Sequence, residues 1–180
     1  DDAEHEESIY LIGRNRAMWL GINLITAVLA SLVIGLFDAT IQSFVALAVL
    51  MPIVASMGGN AGTQTLTVPV RQMALGEIDY QDAKKIIYKE VMISVVNGLL
   101  FAAVIGVVAY LWFNIHLLGV VIAISMIINL FSAGFFGAVI PIVLQQKGIE
   151  PAIGSTVILT TVTDVVGFFS FLGLATIILL

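Results

Sequence analysis

Long apolar runs alternate with short polar breaks along the 180 residues, and the runs govern the reading of everything else. Five can be drawn: residues 17–37, 41–68, 91–113, 117–144 and 153–180. Each reaches the ~20 residues that a helix needs to cross a ~30 Å hydrocarbon core. The runs are too long and too unalternating for barrel strands, and only helices and closed barrels satisfy their backbone in lipid. The predicted fold is all-α, a polytopic membrane protein with five transmembrane helices in the lipid bilayer. A tight link around Asp38 joins the first two, and Asn114 to His116 joins the third and fourth. Pro52 lacks an N–H and is expected to bend or break the second helix near Leu47 to Met51. In the polar stretch from Pro69 to Glu90, Asp82, Lys85 and Lys89 recur at helical spacing, which predicts a short amphipathic connector helix on the membrane surface.

Composition turns this pattern into a class. The chain is 60% hydrophobic and 11% charged, with a mean hydropathy of +1.11. A soluble domain of this size has too little interior to hide that much apolar surface. The absence of cysteine excludes disulfides, thiolate catalysis and soft-metal thiolate sites. The net charge of −5 comes largely from Asp1, Asp2, Glu4, Glu6 and Glu7, and nothing in it points to nucleic-acid binding.

Charge placement sets an expected orientation. Arg14 and Arg16 precede the first span, Arg71, Lys84, Lys85 and Lys89 lie between the second and third, and Lys147 lies between the fourth and fifth. All seven fall on one side of a five-span path, so the N-terminus is expected in the cytoplasm and the C-terminus outside. Trp19 and Tyr88 then flank the inner interface, and Tyr110 and Trp112 the outer one. A multi-pass protein of the cell membrane is expected.

Candidate chemistry concentrates in two runs. Asp164 sits ~16 Å into the last one, about halfway through the hydrocarbon, where ionised side chains face a water-filled path or a partner. At ~100° per residue, Thr156, Thr160, Thr163, Asp164, Gly167, Ser170 and Phe171 share about a third of that helix. In the second run, Ser56, Gly59, Asn60, Thr63, Gln64 and Thr67 share one face, while Gly58 and Gly62 form a G-x-x-x-G on another. Two readings of this string stand together: a pore-lining stripe, and the close helix packing that small residues favour. Ser125, Asn129 and Ser132 in the fourth run, Asn97 in the third, and Asn23 and Thr26 in the first read as interhelical glue. His5 lies in the acidic tail and His116 in a loop, and no metal-binding His pair is expected of them.

The strings PIVASMGGNAGTQ in the second run and TDVVGFFSFLG in the fifth resemble the transmembrane domain of the MgtE family of magnesium transporters. The match runs in order along nearly the whole chain, with a basic pair before the first span and an Arg after the glycine string. The resemblance implies a homodimeric, magnesium-selective cation channel with five helices per subunit and a pore lined by the second and fifth. It implies that Asp164 of both subunits holds a hydrated magnesium ion, helped by the backbone carbonyl of Thr160. Family members usually also carry a cytoplasmic N-terminal domain and paired CBS domains that sense magnesium. Residues 1–16, which do not begin with Met, look like the end of the connector to those domains, and 17–180 like the pore domain.

Physical chemistry stands beside the resemblance. Magnesium gives up water reluctantly and binds through one or two carboxylates, so a wide, oxygen-lined pore suits it. A two-fold axis would supply two carboxylates from one residue. Manganese, cobalt and calcium are the other divalent ions considered for the same stripe. Three rival readings are a proton- or sodium-coupled divalent cation transporter, a structural membrane subunit and an intramembrane aspartyl protease. The protease needs two acids, whereas only Asp164 lies mid-span; an enzyme is not expected.

Overall fold

The axis of the fold is the fourth of the five spanning helices, His116–Gln146, the most buried of them among the described residues. The computed structural model describes residues 2–76, 82–149 and 151–180, with side chains from residue 8 onward, those of 152 and 153 excepted. Its helices are α1 (Asp2–Gly35), α2 (Asp38–Ser43), α3 (Val45–Ala74), α4 (Ala83–Phe113), α5 (His116–Gln146) and α6 (Pro151–Leu179). All but α2 contain stretches long and apolar enough to cross a membrane, which makes this a five-span membrane protein.

Several boundaries differ from the sequence reading, each for a local reason. Residues 2–16, read as a connector, continue the first span as one helix. The link around Asp38 is itself a short helix, and the chain breaks at Phe44, whose backbone is extended (φ −138°, ψ 91°). Pro52 therefore lies inside α3, downstream of the break, with its ring exposed. Residues 77–81 of the expected surface helix lie outside the described residues. The remainder, from Ala83, is the first part of α4, which puts Glu90 inside a spanning helix. The α4–α5 turn closes through Asn114 at φ 57°, whose N–H bonds the Tyr110 carbonyl at 2.7 Å. Asn is one of the few residues other than Gly that adopts this left-handed cap readily.

Small residues let neighbouring helices approach α5. A Cβ on Gly119 would stand 2.7 Å from the Gly106 carbonyl oxygen of α4, and one on Gly137 would stand 2.9 Å from Thr65 Cβ of α3. Without a hydrophobic drive between helices in lipid, such backbone-close packing is what holds a bundle together. Val121, Ile122, Met126, Asn129 and Ala133 are consequently buried along α5. Helices α3, α4 and α6 pack on it, α3 also packs on α6, and α1 rests on α6. The order α1, α6, α3, α4 leaves one groove between α1 and α6 and another between α3 and α4.

Candidate functional site

The two polar runs become neighbours because α3 and α6 pack side by side. Their contact is made by small and apolar residues: a Cβ on Gly62 would stand 2.6 Å from Leu159 Cδ2. Gly58 is buried against the Asn129 carboxamide. The G-x-x-x-G row is thus the packing face of α3. Its polar face, with Ser56, Asn60, Thr63, Gln64 and Thr67, is left exposed, and half-buried Gly59 has open space where a Cβ would be. The close-packing reading of the string holds on one side of this helix, and the opposite, polar side is left open.

On the exposed face of α3 the hydroxyls are turned back onto their own helix. Thr63 Oγ1 donates to the Gly59 carbonyl at 2.8 Å, and Thr67 Oγ1 to the Thr63 carbonyl at 2.7 Å. Asn60 Nδ2 donates to Ser56 Oγ at 3.2 Å. With the Thr63 and Thr67 hydroxyl protons engaged within the helix, the free lone pairs of their oxygens face outward beside the amides of Asn60 and Gln64. Such a surface suits water molecules whose own hydrogens point away from a cation.

The stripe on α6 divides. Thr156 is exposed, Thr160 and Asp164 are half-buried, and Ser170 is half-buried with its hydroxyl on the Gly167 carbonyl. Thr163, Gly167 and Phe171 turn into the bundle instead, which departs from the single open stripe expected of the sequence. A Cβ on Gly167 would stand 3.0 Å from Val54 Cγ1 and 2.9 Å from Asn129 Nδ2, so this glycine is where α3, α5 and α6 meet. Thr163 Oγ1 donates to the Thr160 carbonyl at 3.1 Å. That carbonyl also accepts its ordinary helical bond, so both lone pairs are engaged. It can turn to a cation only if the Thr163 hydroxyl rotates away.

The residues read as glue take different parts. Asn129 ties α5 to α3, donating from Nδ2 to the Val54 carbonyl at 3.0 Å. Ser125 and Thr26 bond within their own helices. Asn23 lines the α1/α6 groove, about 920 Å³, together with Asn15, Arg16, Trp19, Thr156 and Thr160. Asn97 makes no hydrogen bond to another helix among the described residues; it lies exposed in the α3/α4 groove, opposite Asn60 and Gln64. Glu90 and Ser94 line that groove too, and the sequence reading passed over both. Their spacing with Asn97, at i, i+4 and i+7, is the helical signal that would have found them. Among the described residues no three His, Cys, Asp or Glu side chains gather into a metal cluster. His116 lies against the Tyr110 ring, centroids 4.4 Å apart.

Comparison with known proteins follows these elements. The family model of the MgtE divalent cation transporters matches residues 51–174, from within α3 to within α6. The chain is 31% identical to the magnesium transporter MgtE of Bacillus subtilis over 97% of its own length, and 29% identical to that of Thermus thermophilus over 91%. It spans 39% and 36% of the length of those two relatives, about two fifths. Because the matched stretch takes in most of the chain, with the packing glycines, the exposed face of α3 and Asp164 inside it, this chain belongs to the MgtE family of divalent cation transporters.

Proposed function

We propose that this chain is the pore-forming unit of a magnesium channel and works as a homodimer, with the exposed faces of α3 and α6 of two copies enclosing a wet path. The observation that carries this reading is the open polar face of α3 beside Asp164, on spanning helices that packing otherwise satisfies. Five side-chain amides and hydroxyls turned toward hydrocarbon would be costly, whereas water or a second copy removes that cost. The relatives named as magnesium transporters supply the ion.

In this reading Asp164 of each copy faces one hydrated ion across a two-fold axis, and the pair supplies the charge that a single carboxylate lacks. Ser56, Gly59, Asn60, Thr63, Gln64 and Thr156 line the path, and the side-chain oxygens among them accept hydrogen bonds from the ion's water shell. The Thr160 carbonyl joins them once Thr163 releases it. Thr163 and Gly167 support the wall from behind.

Magnesium flux into liposomes, read by an internal indicator dye, tests the assignment. Asp164→Asn keeps size and hydrogen bonding and removes the charge. In the folded, reconstituted variant, flux is expected to fall by at least roughly tenfold, equivalent to ~1.4 kcal/mol of lost attraction. Flux at the parent rate would make Asp164 a structural residue.

A further inference from the structure

The α3/α4 groove holds a carboxylate that the pore reading does not use. Glu90 is 9% exposed and lines a cavity of about 690 Å³ as its only charged residue among those described. The remaining polar lining is Asn60, Thr63, Gln64, Thr65, Ser94 and Asn97. Ser94, also nearly buried at 8% exposed, is pressed against Gly134 of α5, which fixes this side of α4 toward the groove.

Depth orders these groups into a ladder. At ~1.5 Å per residue, Glu90 lies ~10 Å from the start of α4, Ser94 ~17 Å and Asn97 ~21 Å. On antiparallel α3, Gln64 lies ~15 Å and Asn60 ~21 Å from the end that faces the start of α4. The acid therefore stands near the mouth, and the amides continue to mid-depth, where the groove meets the exposed face of α3. A smaller cavity of about 140 Å³ adjoins at the mouth, lined by Glu90, Gln72, Lys85 and Lys89, and Gln72 Oε1 is buried with no hydrogen-bond donor among the described residues.

We propose that the α3/α4 groove is a second binding site for a hydrated divalent cation, separate from Asp164, with the Glu90 carboxylate as its charged ligand and the Gln64, Asn97 and Asn60 side chains holding the ion's waters. The site rests on the reading of this chain as a divalent cation pathway, and supplies a resting place between the basic end of α4 and the pore. A lone carboxylate among neutral amides and hydroxyls is a hard-oxygen set that leaves most of a magnesium shell as water. Six waters at ~30 Å³ each fill about 180 Å³, so the cavity accepts the ion without stripping it. The competing occupant for Glu90 is the ammonium of Lys85 or Lys89 at the mouth, which would neutralise it and leave nothing to bind.

Manganese serves as the paramagnetic probe, on the 180-residue chain in lipid nanodiscs. The chain has no cysteine, so single nitroxide labels can be placed at Met92→Cys, exposed on the face of α4 turned away from the groove and two residues from Glu90, and at Val165→Cys, beside Asp164. Manganese should broaden the Met92 label, and excess magnesium should reverse the effect. Glu90→Gln should raise the manganese concentration needed at Met92 by roughly tenfold or more, the loss expected of a charged ligand. Glu90→Asp should largely retain it, and Asp164→Asn should leave it unchanged while abolishing broadening at Val165. If Glu90→Gln aggregates, the double variant Gln64→Leu/Asn97→Leu tests the same site, and a several-fold weakening at Met92 is expected of it. Broadening at Met92 that ignores these substitutions, resists magnesium or never occurs overturns the proposal and leaves Glu90 to the lysines or to a partner helix. Broadening at Met92 without any at Val165 would instead sink the Asp164 reading and keep this one.

Discussion

A Cβ added to Gly58 would land on the Asn129 carboxamide, whereas one added to Gly59 meets nothing within 4 Å. The two residues sit ~100° apart on α3, so one faces the α5 seam and the other the open side. Gly58→Ala must displace Asn129, which is fully buried and bonded to the Val54 carbonyl. Overpacking of this kind costs about 1–3 kcal/mol. Loss of the hydrogen bond adds a smaller amount, since interhelical bonds in membranes average ~0.6 kcal/mol. Thermal unfolding in detergent, followed by intrinsic tryptophan fluorescence, is expected to show a clearly lowered midpoint for Gly58→Ala and an unchanged or raised one for Gly59→Ala. Equal midpoints would mean that Asn129 does not hold this junction.

Helix α3 works through the contrast between its sides. Gly58, Gly62, Leu66 and Pro69 are buried, and Asn60, Thr63, Gln64 and Thr67 are exposed. Replacing Asn60 and Gln64 together with leucine removes two amides from the open face and touches nothing on the packing face. If that face meets lipid, the double variant should fold as well as the parent or better, with flux unchanged. If it lines a wet pore, magnesium flux in liposomes should fall several-fold, yet by less than with Asp164→Asn, because neutral groups hold water and not charge. The second outcome is expected. Helix α1 shows the opposite arrangement: it rests on α6 and is exposed along most of its length, so little in a single copy fixes it.

The single chain leaves a polar front on α3 and α6 flanked by two grooves, and a second copy is the proposed cover. Cysteines at Thr156, exposed on α6, should crosslink between copies under mild oxidation in membranes, while cysteines at Val96, exposed on α4 away from that front, should not. Gly167 is unsuited to such a test, because a side chain there collides with Val54 and Asn129. Crosslinks at Val96 without any at Thr156 would place the interface elsewhere.

The sequence by itself determined the class, the number of spans and the family. These follow from quantities that need no partner: the length of an apolar run against membrane thickness, and strings such as GGNAGTQ and TDVVGFF read in order. It also determined that Asp164 lies mid-span, because depth along a helix is counted residue by residue. What it did not determine is which way a helix faces. The stripe from Thr156 to Phe171 is continuous by period, yet Thr163, Gly167 and Phe171 are taken into the bundle while Thr156 and Asp164 stay open. Period assigns residues to a side, but only the neighbours α3 and α5 decide how much of that side is covered. Glu90 shows the same limit from another direction. A polar stretch reads as a short surface helix until that helix is seen to run on from Ala83 into the span, and a charged residue then stands buried in a groove. That groove exists because α3 and α4 both pack on α5 and scarcely on each other, an arrangement fixed by small residues such as Gly134 and Gly137, whose partners Ser94 and Thr65 lie far away in the chain.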